Sequence, residues 1–187
     1  MITNFVQTSQ TSSKNLLILD RDGTLIENIP YLKDKSKIEF KKGVIKGLIK
    51  AQDNNFEFII ASNQSGIGRK LVTVEEVDTI NFTISEMLLD SGVNLNQFIY
   101  CPHMPDFGCL CRKPKNGMIE KIIAIKRIDR NRAFLIGDMI SDAEAAAQSN
   151  IRSFIVNEQG QTINNLPKKT IIVTNFSSAV EKIIELG

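Results

Sequence analysis

No apolar run in the sequence approaches the roughly 20 residues that a helix needs to cross a bilayer. The longest, such as those at residues 16–19 and 58–61, suit short buried strands, so no membrane partner is expected. Charge of one sign is scarce as well. The 23 Lys and Arg residues nearly balance 21 Asp and Glu, leaving a formal net charge of +2. No basic run is long enough to form a nucleic-acid stripe, and nucleic acid is not an expected partner. The first fourteen residues lack the basic start and apolar middle of a secretory signal. They predict a cytosolic protein whose residues 1–14 form a loose polar arm. Internal repeats and low-complexity tracts are absent. A length of 187 residues supports one core but hardly two, so a single domain over 15–187 is expected, as a monomer.

Within that domain, short apolar runs at 16–19, 56–61, 98–100, 133–136, 153–156 and 170–173 read as buried strands. Helical spacing lies between them. It is carried by Val44, Leu48 and Ile49, then by Val77, Ile80, Ile84 and Leu88, then by Ile119, Ile122 and Ile123. Thr73 with Glu76 is a capping box that starts the second of these helices. Strands alternating with helices predict an α/β fold: a doubly wound, mostly parallel sheet covered on both faces. Ligands of such sheets bind beyond the carboxyl ends of the strands, so the residues just after each apolar run are the first candidates for chemistry.

The first strand runs into Asp20-Arg21-Asp22-Gly23-Thr24. Residues two apart in an extended chain share a side, so both carboxylates can face one site while Gly23 lets the backbone turn. Two like charges that close call for a cation, and an oxygen-rich site suits Mg²⁺. Alone, the run could also be an Asp-Gly turn ending a strand. The second strand ends in Ser62-Asn63-Gln64-Ser65-Gly66, whose hydroxyls and amides can hold phosphate oxygens without added charge, or can simply form a Ser/Asn turn. A later strand ends in Gly137-Asp138-Met139-Ile140-Ser141-Asp142, where Asp138 is aimed at the site and Asp142 could cap the following helix. Lys113, within Arg112-Lys113-Pro114-Lys115, offers a point charge for a phosphoryl group.

All three cysteines and the only histidine fall between positions 101 and 111. Cys101, His103, Cys109 and Cys111 supply the four ligands of a closed tetrahedral zinc site, with no open position for catalysis. Structural Zn²⁺ in a loop over 101–111 is expected, against the alternative of free thiols or a strained disulfide between Cys109 and Cys111. Arg112 and Lys113 follow the last ligand directly, so the metal would also fix their positions.

The four segments resemble, in order, the motifs of the haloacid dehalogenase superfamily of phosphatases. The resemblance runs from residue 16 to about residue 157. The Cys-Pro-His and Cys-x-Cys-Arg-Lys-Pro segments are similar to those of a narrower branch, the histidinol-phosphate and heptose-bisphosphate phosphatases. Residues 63–69, 23–26, 30–32 and 115–118 resemble the heptose-bisphosphate members more closely. Met139 departs from that pattern, standing where these relatives usually carry Lys or Arg.

The resemblance implies a Mg²⁺-dependent phosphatase without a large cap domain. In it Asp20 is the nucleophile, Asp22 the acid and base, and Ser62 and Lys113 hold the phosphoryl oxygens. Mg²⁺ is bound by Asp20, by Asp138 and by Asp22 through its main-chain carbonyl. Specificity falls to loops carrying Asn28, Tyr31, Asn63, Gln64, Ser65 and Arg112. The implied substrate is a small phosphorylated sugar, D-glycero-D-manno-heptose 1,7-bisphosphate. The alternative in the same class is histidinol phosphate. In another class it is a non-catalytic, zinc-stabilised domain that binds a phosphorylated metabolite.

Overall fold

The computed structural model describes residues 1–4, 14–95 and 97–186. In chain order the elements are β1 (Ile2–Asn4), β2 (Asn15–Leu19), α1 (Val44–Asp53), β3 (Phe56–Asn63), α2 (Ser65–Gly68), α3 (Val74–Asp90) and β4 (Phe98–Cys101). They continue with α4 (Gly117–Lys126), β5 (Ala133–Gly137), α5 (Ile140–Gln148), β6 (Arg152–Val156), β7 (Thr170–Val173) and α6 (Phe176–Leu186). Each expected strand is present. The Thr73 capping box forms as read: its hydroxyl accepts from the Glu76 N–H while the Glu76 carboxylate accepts from the Thr73 N–H.

One sheet of seven strands runs through the protein in the order β1-β4-β3-β2-β5-β6-β7. Every pairing is parallel except β1 with β4. That exception corrects the expectation of a loose arm over residues 1–14. Ile2–Asn4 is an edge strand paired with Tyr100, Ile99 and Phe98; residues 5–13 lie outside the described residues.

Alternation along each strand divides the core in two. Leu17, Leu19, Phe58, Ile60 and Phe134 pack under α1, α3 and α6. Leu16, Ile18, Ile59, Ala61 and Leu135 pack under α4 and α5. Both faces are therefore covered, and the six parallel strands read as near-continuous apolar runs. Helix α6 buries Phe176, Ala179, Val180 and Ile183, a stripe at helical spacing. In α1, Val44 and Leu48 face the core, whereas Ile49 is exposed. No helix among the described residues is long and apolar enough to cross a membrane.

From β2 the chain moves outward through β3 to β4, and from β5 it moves the opposite way through β6 to β7. β2 and β5 are neighbours, so the crevice beyond their carboxyl ends is the topological switch point where such sheets bind ligands. Among the described residues no connection builds a second domain over this edge. The segment from 20 to 43 carries only a 3-10 turn at Lys35–Lys37 and two isolated bridges.

Candidate active site

Asp20 extends the pairing of β2 with β5, its N–H donating to the Ile136 carbonyl at 2.9 Å. The chain then turns through Gly23, whose φ of 87° lies in the left-handed region. A side chain there would also collide with the Asp138 carboxylate, so both conformation and space require glycine. Asp20 and Asp22 line one cavity of about 280 Å³, as their spacing predicts. Their partners differ.

Lys113 is buried among Asp20's neighbours. Its ammonium donates to Asp20 Oδ1 at 2.5 Å and to the Ala61 carbonyl at 2.7 Å, and lies 2.5 Å from Asp142 Oδ1. Its main chain is held by Asn63, whose amide donates to the Lys113 carbonyl and accepts from the Lys113 N–H, each at 3.0 Å. The Lys113–Pro114 bond is cis. Burial works against the ammonium's charge, yet Asp142 and Asp20 outweigh it and hold its pKa above the ordinary lysine value. The lysine therefore stays charged.

The carboxylates are less comfortable. Burial, with Asp142 and Asp138 nearby, pushes Asp20 up to about 8 despite the attraction of Lys113. Burial and Asp142 likewise raise Asp138, against a hydrogen bond from the Thr24 hydroxyl to its Oδ1 at 3.2 Å. Oxygens of Asp20, Asp138 and Asp142 lie within 4.8 Å of one another, and the one ammonium pairs with Asp20 and Asp142 only. Such an oxygen set, negative in excess, fits a hard divalent cation. Asp142 is already committed, with Oδ1 on Lys113 and Oδ2 accepting from the Met139 N–H at 3.1 Å. Asp20 and Asp138 are left to face a metal. The Asp22 carboxylate is outside this group, so only its main chain can serve in the expected set of Asp20, Asp22 and Asp138.

That carboxylate is engaged on the other side of the cavity. Arg21 Nε lies 3.2 Å from each of its oxygens, and Gln64 Nε2 donates to Oδ2 at 2.7 Å. Gln64 also donates to the Ser62 hydroxyl at 2.8 Å, and Ser62 reaches Asp22 at 3.5 Å. Asn28, Tyr31, Asn63, Gln64, Ser65 and Arg112, the candidate substrate contacts, all line the same cavity. Each end of the Asn63 amide makes one hydrogen bond to Lys113, so Asn63 braces the lysine while it also lines the cavity. Tyr31, with φ of 54°, lies over Gly66, where an added Cβ would come within 2.8 Å of its ring. Arg112 Nη1 is buried without a hydrogen-bond partner among the described residues, as a donor awaiting an anionic ligand would be. Met139 is exposed on the rim. Sequence reasoning passed over Arg21 and the Lys113 anchor in Asp142. For Asp142 the signal was its helix-capping position; for Arg21 it was only a charged residue between two aspartates.

Cys101, at the end of β4, converges with His103, Cys109 and Cys111 from the loop that follows. Cys101 Sγ lies 3.3 Å from Cys111 Sγ and 3.6 Å from Cys109 Sγ; His103 Nδ1 lies 3.5 Å from Cys101 Sγ and 3.3 Å from Cys111 Sγ. None is in a disulfide. These separations are near the edge of a tetrahedron with metal–ligand bonds of about 2.0–2.3 Å, so the set fits structural zinc. The His103 ring is further fixed by stacking on Phe107, with centroids 4.4 Å apart.

A switch-point aspartate pair, a buried lysine and a further strand-end aspartate define a phosphatase domain of the haloacid dehalogenase type. The profile of the family described as polynucleotide kinase 3 phosphatase matches residues 15–155, and the chain belongs to that family. A Thermoplasma acidophilum protein named "Probable D-glycero-D-manno-heptose-1,7-bisphosphate 7-phosphatase" is 35% identical over 134 residues, covering 72% of this chain and 82% of the relative. The D-glycero-beta-D-manno-heptose-1,7-bisphosphate 7-phosphatase of Pseudomonas aeruginosa is 29% identical, covering 92% of this chain and 99% of the relative. The histidine biosynthesis bifunctional protein HisB of Campylobacter jejuni is 34% identical over 143 residues, and the match spans only 41% of its length. Among solved structures, the D,D-heptose 1,7-bisphosphate phosphatase of B. bronchiseptica, complexed with magnesium and phosphate, superposes with a TM-score of 0.83 at 26% identity. The match covers 92% of this chain and 99% of that one.

Proposed function

We propose that the protein hydrolyses a phosphomonoester of a small phosphorylated sugar through an aspartyl-phosphate on Asp20. The observation carrying this reading is the placement of Asp20 at the switch point, in reach of Lys113 and beside Asp138, with Asp22 on the same cavity. An Asp20 oxygen attacks phosphorus, and the bond from phosphorus to the leaving oxygen breaks as Asp22 gives that oxygen a proton. Asp22 then takes a proton from water. The water oxygen attacks phosphorus, the bond to Asp20 breaks, and inorganic phosphate leaves. Ser62, Lys113 and Arg112 hold phosphate oxygens through these steps. Mg²⁺, held by Asp20, Asp138 and the Asp22 carbonyl, would supply positive charge against the phosphoryl group.

The substrate favoured is D-glycero-D-manno-heptose 1,7-bisphosphate, cleaved at its 7-phosphate. Its support is the match over nearly the whole length of both chains to the Pseudomonas aeruginosa phosphatase. The matches to the histidine biosynthesis proteins favour histidinol phosphate as the second reading. We take the protein to be a cytosolic monomer that meets this substrate free of nucleic acid or membrane. Phosphate release from the two compounds in parallel, with and without Mg²⁺, tests the assignment. Faster release from the heptose supports it, faster release from histidinol phosphate transfers it, and no Mg²⁺-dependent release from either removes it.

A further inference from the structure

Arg21 stands between the two aspartates and is only 2% exposed, one of the largest fully buried side chains in the protein. Burying a guanidinium costs several kcal/mol unless its charge and donors are met, and here they are met in a particular way. Nε lies 3.2 Å from both oxygens of Asp22, Nη2 lies 3.0 Å from Oδ2, and Nη1 donates at 2.8 Å to Asn81 Oδ1. Neighbouring residues in an extended chain point to opposite sides. The contact between Arg21 and Asp22 is therefore not a by-product of their spacing; the guanidinium has to be brought round to the carboxylate.

Asn81 is what holds it there. This polar residue is buried on the core side of α3 between Ile80 and Ile84, a position an apolar side chain would ordinarily fill. Gln64 also fixes Asp22 Oδ2, donating to it at 2.7 Å. The proton-transferring carboxylate is thus gripped from the residue that follows β3 and, through Arg21, from α3.

We infer that Arg21, anchored by Asn81, is a positioning residue that aims the Asp22 carboxylate at the leaving oxygen. The inference rests on the proposed aspartyl-phosphate chemistry and adds two residues to it, one of them outside the catalytic cavity. A general acid contributes only where a proton must be delivered within hydrogen-bond reach, typically about 100- to 10,000-fold. Its loss is felt by a leaving sugar alkoxide and hardly at all by 4-nitrophenolate, which departs without a proton. Because kcat/KM covers only the steps up to that departure, the later use of Asp22 as a base does not enter.

The test compares kcat/KM on heptose bisphosphate and on 4-nitrophenyl phosphate for wild type, Arg21→Met and Asn81→Leu. Arg21→Met should lose about 100-fold on the sugar and less than about 3-fold on the aryl phosphate. Asn81→Leu, a change suited to a buried helix position and remote from the substrate, should lose about 10-fold on the sugar alone. It keeps the inference testable if the arginine variant does not fold. An equal fall on both substrates would mean general damage, and no fall on either would mean no role; each overturns the inference. A wild-type protein inactive on both substrates would instead remove the proposed function.

Discussion

The ammonium of Lys113 lies 2.5 Å from the carboxylate of Asp142, and both side chains are 2% exposed. This pair converts a helix-capping aspartate into the anchor of an active-site lysine. One carboxylate joins the first turn of α5 to the loop that leaves the zinc cluster.

Asp142→Asn should therefore lower kcat by about 10- to 100-fold, the usual cost of removing a residue that orients a catalytic group. With Asp142 neutral, Lys113 leans on Asp20 alone and ties down the nucleophile. Losing one partner of a buried pair costs about 3–5 kcal/mol when the other is left unpaired. The loss in urea denaturation should be smaller than that, since Asp20 still faces the ammonium. Wild-type kcat in a folded Asp142→Asn protein would refute the anchoring role.

Asp20→Asn should abolish turnover, to below about one part in 10,000 of wild type, because an amide cannot accept the phosphoryl group. Its fold should survive. Burial already disfavours the Asp20 charge in the metal-free protein, so a neutral amide of similar shape should leave the urea midpoint unchanged or raise it. Asp22→Asn should also be severely impaired through loss of the proton shuttle. Substantial turnover by a clean Asp20→Asn preparation would reject the nucleophile.

The raised Asp20 value, about 8 in the metal-free protein, links metal binding to protons. A carboxyl held up in this way keeps part of its proton near neutral pH, and a cation must displace that share before the oxygen can bind it. Mg²⁺ affinity should climb from pH 6 to 8 and level off above, with proton release on binding at pH 7. Without metal, the same group favours folding at acid pH. That contribution is lost as pH rises from the ordinary carboxylate range through about 8. Calorimetry at pH 7 in two buffers of different ionisation enthalpy reads the release directly, and identical heats in the two would contradict it.

What could be read from the sequence was what is locally encoded. The six parallel strands and the Thr73 cap follow from short-range pattern, and the aspartates at 20, 22 and 138 from their places after apolar runs. Strand β1 was not legible, since three residues acquire a strand only through pairing with Tyr100, Ile99 and Phe98 far along the chain. The double duty of Asp142 depends on Lys113, which arrives from a different loop, and the grip of Asn81 on Arg21 spans 60 residues. The amide of Asn63 was visible in the sequence, whereas its engagement with Lys113, 50 residues further along the chain, was not. Helix α6 is another matter: Phe176, Ala179, Val180 and Ile183 carry a readable helical period.

The two kinds of metal site should separate experimentally. Carboxylates at Asp20 and Asp138 suit Mg²⁺, whereas thiolates and imidazole at Cys101, His103, Cys109 and Cys111 suit zinc. Burial pushes the Cys101 thiol up to about 12, so near neutral pH it is the metal that makes it a thiolate. The purified protein should accordingly contain about one zinc per chain, from the single four-ligand set. Mild EDTA followed by Mg²⁺ should restore activity without added zinc, because a closed four-ligand site coupled to folding releases its metal reluctantly. Cys109→Ser should lose the zinc and loosen the loop, displacing Arg112 and Lys113, which follow Cys111 directly. Substrate binding should then weaken, with a raised KM that extra Mg²⁺ does not repair. A zinc-free preparation with full activity, or a Cys109→Ser enzyme equal to wild type, would strip the loop of this role and leave the chemistry of Asp20 and Asp22 untouched.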